Sequence, residues 1–106
     1  MQYDPAQLRE TLGRFQSHVH QTAINKGWWD VIRQDGTLIA LMHSELSEAL
    51  EALRRGEEEA LGEELADVII RILDYAETKG IDMAECLIAK ATKNEGRPHL
   101  HGGRRF

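Results

Sequence analysis

The chain has one cysteine, Cys86, among 106 residues. A single thiol closes no intrachain disulfide, which suits a reducing compartment, and the expected location is the cytoplasm. Cys86 sits in an apolar helical pattern, so a buried, inert thiol is expected. Long apolar runs are also missing. The first ten residues, MQYDPAQLRE, contain none, and no signal peptide is expected there. No stretch approaches the roughly 20 apolar residues that a membrane span needs, so a membrane is not an expected partner. Positive charge is in deficit: the net charge is -5. That argues against polymeric nucleic acid, whose phosphates demand a basic surface. Small polyanions stay open, because a bound divalent cation reverses the local sign of a site. Alternating strand patterns and internal repeats are absent too.

What is present is ordinary for a soluble globular chain, with 42% hydrophobic and 29% charged residues. The length suits one domain spanning residues 1–106. Such a chain buries only a modest core. An all-helical version is expected to need a second copy to cover its faces.

The hydrophobic pattern is helical almost throughout. Asp4-Pro5 reads as an N-cap and a first-turn proline. Leu8, Leu12, Phe15, Val19 and Ala23 then mark one helix face, ending near Lys26-Gly27. The stretch GWWDVIRQDG is a connector bounded by glycines. A second helix is expected over about Thr37 to Arg55, with Gly56 breaking it. A third runs from about Glu57 to Lys79, stopped by Gly80. Asp82 and Glu85 form a capping box for a fourth, ending near Asn94. Residues 94–106 form a tail without a period, irregular or docked on a neighbour. Amphipathic helices and short connections predict an all-α, antiparallel four-helix bundle.

Nine of the chain's 18 acids lie between Glu45 and Asp67. At 100° per residue, the apolar arc of the second helix holds Leu38, Leu41, Met42, Leu46, Ala49 and Leu53. Glu45 falls inside it and Glu48 at its edge, whereas Glu51 projects to water. On the third helix the arc holds Ala60, Leu61, Val68, Ile72 and Tyr75. Glu64 falls inside it and Asp67 just outside, while Glu58 and Glu59 are solvated. Glu57 projects toward the arc but belongs to the first turn, where an acid suits the helix dipole.

The register about Gly56 adds to this. Glu48 and Glu64 are each eight residues from the glycine, and Glu45 and Asp67 each eleven. In an antiparallel hairpin these pairs share heights, the nearer one roughly 12 Å from the turn. Four carboxylates converging in a partly dry space repel unless neutralised. Mg²⁺, with Mn²⁺ able to substitute, is the expected partner of such a set. The competing arrangement pairs the acids with Arg54, Arg55 or Arg71. Arg71 is the strongest competitor, since it projects between Glu64 and Asp67.

Glu45-Leu-Ser-Glu48, a helical break and Glu64-Leu-Ala-Asp67 together resemble the ExxE…ExxD signature of MazG-like, all-α nucleoside triphosphate pyrophosphohydrolases. The likeness continues through LADVIIRILDYAETKGIDMAECLIAKATKNEGRPHLHGG, with its GID turn, K-x-x-K-N-E-x-R-P segment and His-Gly-Gly tail. INKGWWD is similar to one subgroup. Many members carry a further acid just before the first motif glutamate, where this chain has Ser44.

The resemblance implies Mg²⁺-dependent hydrolysis of a nucleoside triphosphate to the monophosphate and pyrophosphate, in the service of nucleotide-pool house-cleaning. Glu45, Glu48, Glu64 and Asp67 are the implied metal ligands. Glu45 or Glu48 is the implied catalytic residue that orients water. Lys90, Lys93, Asn94 and Arg97 are implied phosphate contacts, with ordinary capping of a helix C-terminus as the other reading. Trp28 and Trp29 offer base stacking or else anchor the connector over the bundle. Asn25 and His20 are placed to read base edges, and His18 to face solvent. His99, His101, Arg104 and Arg105 close over the nucleotide or pack on a neighbouring subunit. A homodimer or homotetramer is expected. The alternatives are phosphoribosyl-ATP pyrophosphohydrolase activity and a non-enzymatic acidic helical interaction module.

Overall fold

Asp4 opens the first helix. Its carboxylate accepts from the Ala6 amide at 3.0 Å, and Pro5 follows in the first turn, where its missing N–H costs nothing. In the computed structural model, which describes residues 2–98, helix α1 spans Pro5–Asn25, α2 Asp35–Arg54, α3 Glu58–Thr78 and α4 Met83–Glu95. A short 3₁₀ turn, Trp28–Asp30, lies between α1 and α2. Among the described residues there are four α-helices and no strand, as the periodicity predicts.

Gly56 and Gly80 end α2 and α3 in the same way. Both have φ of 70°, a left-handed conformation that an L side chain resists. At Gly56 the amide of Glu57 reaches back to Ala52 O at 2.9 Å, and at Gly80 that of Ile81 reaches Ala76 O at 2.8 Å. Those bonds satisfy carbonyls that the helix ends would otherwise orphan. Asp82 caps α4 by accepting from the Glu85 amide at 3.0 Å. The Glu85 carboxylate does not return the bond within a capping box. It pairs with Arg9 of α1 instead.

α3 lies between α2 and α1, and α4 packs on α1. Asp35 meets Tyr75 and Lys79 while Glu45 meets Arg71, so α2 and α3 pair antiparallel about Gly56. The core is Val19, Leu38, Ala49, Ala52, Val68, Leu73, Ala76 and Ala84. Four alanines among these let the helix axes approach closely. The sequence arc on α3 differs from the structure here. Ile72 and Tyr75 are only half-buried, whereas Leu73 and Ala76 are the best-buried residues of the helix. A single arc assumes one partner, and α3 has two.

Gln16 ties the α3–α4 turn to α1. It is 4% exposed, donates to Glu77 Oε1 and Ile81 O at 3.0 and 2.8 Å, and accepts from the Met83 amide. Cys86 corrects the sequence reading: it is exposed. α4 has one substantial neighbour, so only the stripe through Ala84, Ile88 and Ala91 is covered, and Cys86 sits about 200° round the helix from Ala84. Leu46 and Leu53, expected in the α2 arc, are 48% and 51% exposed. With Leu50, Leu65 and Ile69 they leave apolar surface open on the α2/α3 hairpin. No described helix is long and apolar enough to cross a membrane.

Candidate metal and nucleotide site

The hairpin brings three of the four motif acids together. α2 supplies Glu45, and α3 supplies Glu64 and Asp67 from adjacent turns. One carboxylate oxygen from each lies within 4.8 Å of the other two. Glu45 and Glu64 are half-buried and Asp67 is exposed. Partial burial, followed by the charges of Glu48, Asp67, Glu45 and Glu63, raises the pKa of Glu64 above its ordinary value. The charges add because like carboxylates cannot all ionise cheaply at this spacing. Glu48 is exposed and outside the trio, yet its charge acts on Glu64 more than that of Asp67 or Glu45 does. The donor set is all carboxylate oxygen, which suits a hard divalent cation.

Arg71 also takes part. Its Nε donates to Glu45 Oε1 at 2.9 Å, and this ion pair is largely shielded, with side chains 32% and 19% exposed. Arg54 pairs instead with Glu51, its neighbour on α2, at 3.7 Å. That leaves the Glu51 side chain 46% exposed, while Glu58 and Glu59 are fully on the surface.

An aromatic wall stands beside the acids. Trp28 and Trp29 are both half-buried. The guanidinium carbons of Arg33 and Arg71 lie 3.9 and 4.6 Å from the centre of the Trp28 ring, within cation–π range. Arg33 also donates to the Trp28 carbonyl, which holds the 3₁₀ turn. The Trp29 indole N–H donates to Asp74 Oδ1 at 3.0 Å. His20 Nδ1 lies 2.7 Å from the same oxygen, and its ring meets Trp29 edge-on at 5.8 Å. An ionised Asp74 only accepts, so His20 Nδ1 carries the proton in this contact. An open pocket of about 290 Å³ joins the two halves, with Ala23, Trp28, Glu45, Asp67, Arg71 and Asp74 on its walls.

Asp74 escaped the sequence reading, although a signal was there. Asp67, Arg71 and Asp74 recur at i, i+4 and i+7, and Asp74 interrupts an apolar run. Nothing in the sequence singles out Arg33. Expected to read a base edge, His20 is instead committed to Asp74. Asn25 is exposed at the end of α1 and accepts from Gln21 Nε2 at 2.9 Å. His18 is exposed, as expected.

Lys90, Lys93, Asn94 and Arg97 are all exposed. α4 ends at Glu95, so Arg97 does not continue the face of Lys90 and Asn94. Gly96 and the bias of a residue preceding proline away from helix both explain the stop. Because α1 is the substantial neighbour of α4, these four residues are not gathered around the acids within one chain. His99, His101, Arg104 and Arg105 lie outside the described residues.

No curated protein and no solved structure matches the chain. The family model of the MazG nucleotide pyrophosphohydrolase domain matches residues 33–101. That span contains Glu45, Glu48, Glu64, Asp67, Arg71 and Asp74, and begins just after the Trp28–Asp30 turn. The match covers well over half of the chain, and the acid pairs that suggested the family from sequence converge on one hairpin inside it. The chain therefore belongs to the MazG nucleotide pyrophosphohydrolase family.

Proposed function

We propose that this chain hydrolyses nucleoside triphosphates, deoxynucleotides or aberrant nucleotides in particular, to the monophosphate and pyrophosphate with Mg²⁺, as a house-cleaning enzyme of the cytoplasm. The observation that carries this reading is the convergence of Glu45, Glu64 and Asp67 within 4.8 Å on the hairpin of a MazG-family chain. These three, with Glu48 beside Glu64, hold the cation. When bound, the cation screens phosphate charge and lowers the pKa of water. Glu45 or Glu48 orients that water by accepting its hydrogen bond.

Trp28, Trp29 and Asn25 lie on the nucleoside side of this reading, with Trp29 held by Asp74. Lys90, Lys93, Asn94 and Arg97 meet the phosphates. Since α4 packs on α1, they do so most directly from a second copy, in a homodimer or homotetramer. The exposed Leu46, Leu50, Leu53, Leu65 and Ile69 are apolar surface that such an assembly would cover.

The test is pyrophosphate release from a panel of standard and damaged nucleoside triphosphates with Mg²⁺. Glu45→Gln and Asp67→Asn are expected to abolish release while circular dichroism stays that of the folded protein. Full activity in either variant would remove the proposed cation site.

A further inference from the structure

Arg71 makes two contacts that do not belong to one ordinary surface ion pair. Its Nε bonds Glu45 Oε1 at 2.9 Å, and its guanidinium carbon sits 4.6 Å from the centre of Trp28. From α3 it thereby bridges the Glu45 carboxylate of α2 to the aromatic wall of the 3₁₀ turn, across one pocket. Glu45 is also one of the four carboxylates proposed above to hold the cation. A guanidinium and a divalent ion on the same carboxylate repel each other, and the ion carries twice the charge. Mg²⁺ also demands close, near-octahedral oxygen ligands. Arg71 keeps a third of its side chain exposed and has a long, flexible stem, so it can give way. Beside it stand Trp28 and the open pocket.

We propose that Arg71 is a nucleotide-binding residue whose guanidinium competes with the divalent cation for Glu45 and, once displaced, grips a phosphate group of the nucleotide beside Trp28. This rests on the cation site proposed above. The planar fork of arginine suits two oxygens of one phosphate, an arrangement lysine cannot copy. Cation loading and nucleotide capture are then coupled through one side chain: the cation releases the group that the phosphate requires. No bond is made or broken in this exchange.

A purely structural Arg71 predicts something different. Removing a residue that merely orients Glu45 or braces Trp28 would weaken cation and nucleotide binding together. Competition predicts opposite signs.

The experiment uses the full chain and two titrations. Mn²⁺ alone is titrated by calorimetry into wild type, Arg71→Met and Arg71→Lys. A non-hydrolysable nucleoside triphosphate analogue is then titrated at saturating Mn²⁺. Arg71→Met should bind Mn²⁺ several-fold more tightly than wild type and the analogue ~10-fold more weakly, the loss of one charge-assisted contact. Arg71→Lys should keep Mn²⁺ affinity near wild type yet bind the analogue more weakly. Mn²⁺ affinity in Arg71→Met that is unchanged or reduced overturns the inference. So does analogue affinity equal to wild type. Arg71→Gln gives the same comparison if the Met variant does not fold. Should wild type itself take up no Mn²⁺, the cation site falls and this inference with it. A wild type that binds while Arg71→Met binds no tighter leaves the cation site standing and removes only the role of Arg71.

Discussion

Asp74 offers the sharpest test of how the aromatic wall is held. Its side chain is buried, and Oδ1 accepts from Trp29 Nε1 at 3.0 Å and lies 2.7 Å from His20 Nδ1. Asp74→Ala removes the acceptor and strands two donors in a partly dry space. Each donor left unsatisfied costs about 1–3 kcal/mol. His20 keeps some access to water, and Thr78 Oγ1 is 3.5 Å from its Nδ1, so the lower half of that range applies to it. The expected loss is about 3 kcal/mol, a Tm drop of roughly 12–24 °C for a chain of this size. Asp74→Asn keeps the shape and one acceptor oxygen but loses the charge, so about 1 kcal/mol is expected. Urea unfolding followed by far-ultraviolet circular dichroism measures both. Trp emission in Asp74→Ala should shift to the red as the Trp29 indole meets water. A loss below about 1 kcal/mol in Asp74→Ala, or equal losses in the two variants, would refute the claim that this carboxylate anchors the turn.

Glu64 sets a pH-dependent test. Its folded pKa lies above the ordinary 4.5 because of burial and the neighbouring acids, so ionisation costs more in the folded state. The folded state binds more protons between the two pKa values, and stability falls as pH rises through that window. In chelator-containing buffer Glu64→Gln should therefore melt above wild type at neutral pH and lose that advantage below about pH 4.5. An advantage that persists at low pH would point to packing instead. Gly56→Ala forces φ of 70° on an alanine in otherwise open space, and should cost about 1 kcal/mol by urea titration. If copies of the chain meet on the exposed hairpin face, as proposed, Leu50→Glu should lower the mass measured by light scattering; an unchanged mass would remove that face as the contact.

Local order was legible along the chain because it depends on neighbours in sequence. The four helices follow from 3.6-residue periodicity, from Asp4-Pro5 and Asp82 at starts, and from Gly56 and Gly80 at stops. The same periodicity aimed Glu45 and Glu64 inward. Counting from Gly56 set their heights well enough to foresee the Glu45, Glu64 and Asp67 cluster. Glu48 stands outside the trio, yet its charge acts on Glu64 more than that of any other acid, in keeping with the equal heights counted from Gly56. Cys86 was misread because an amphipathic pattern shows that a helix has an apolar side, not how many neighbours cover it.

What the amino-acid sequence determined by itself is the helical architecture, its breaks and the acid-lined hairpin, all products of local steric and capping preferences. Only the tertiary structure decided which charges meet. It set Arg71 on Glu45 and over Trp28, and it gave Asp74 both His20 and Trp29 as partners. Those pairings join residues 26 to 54 positions apart. They depend on how α1, the 3₁₀ turn and α2 lean against α3, and no periodicity within one segment encodes that.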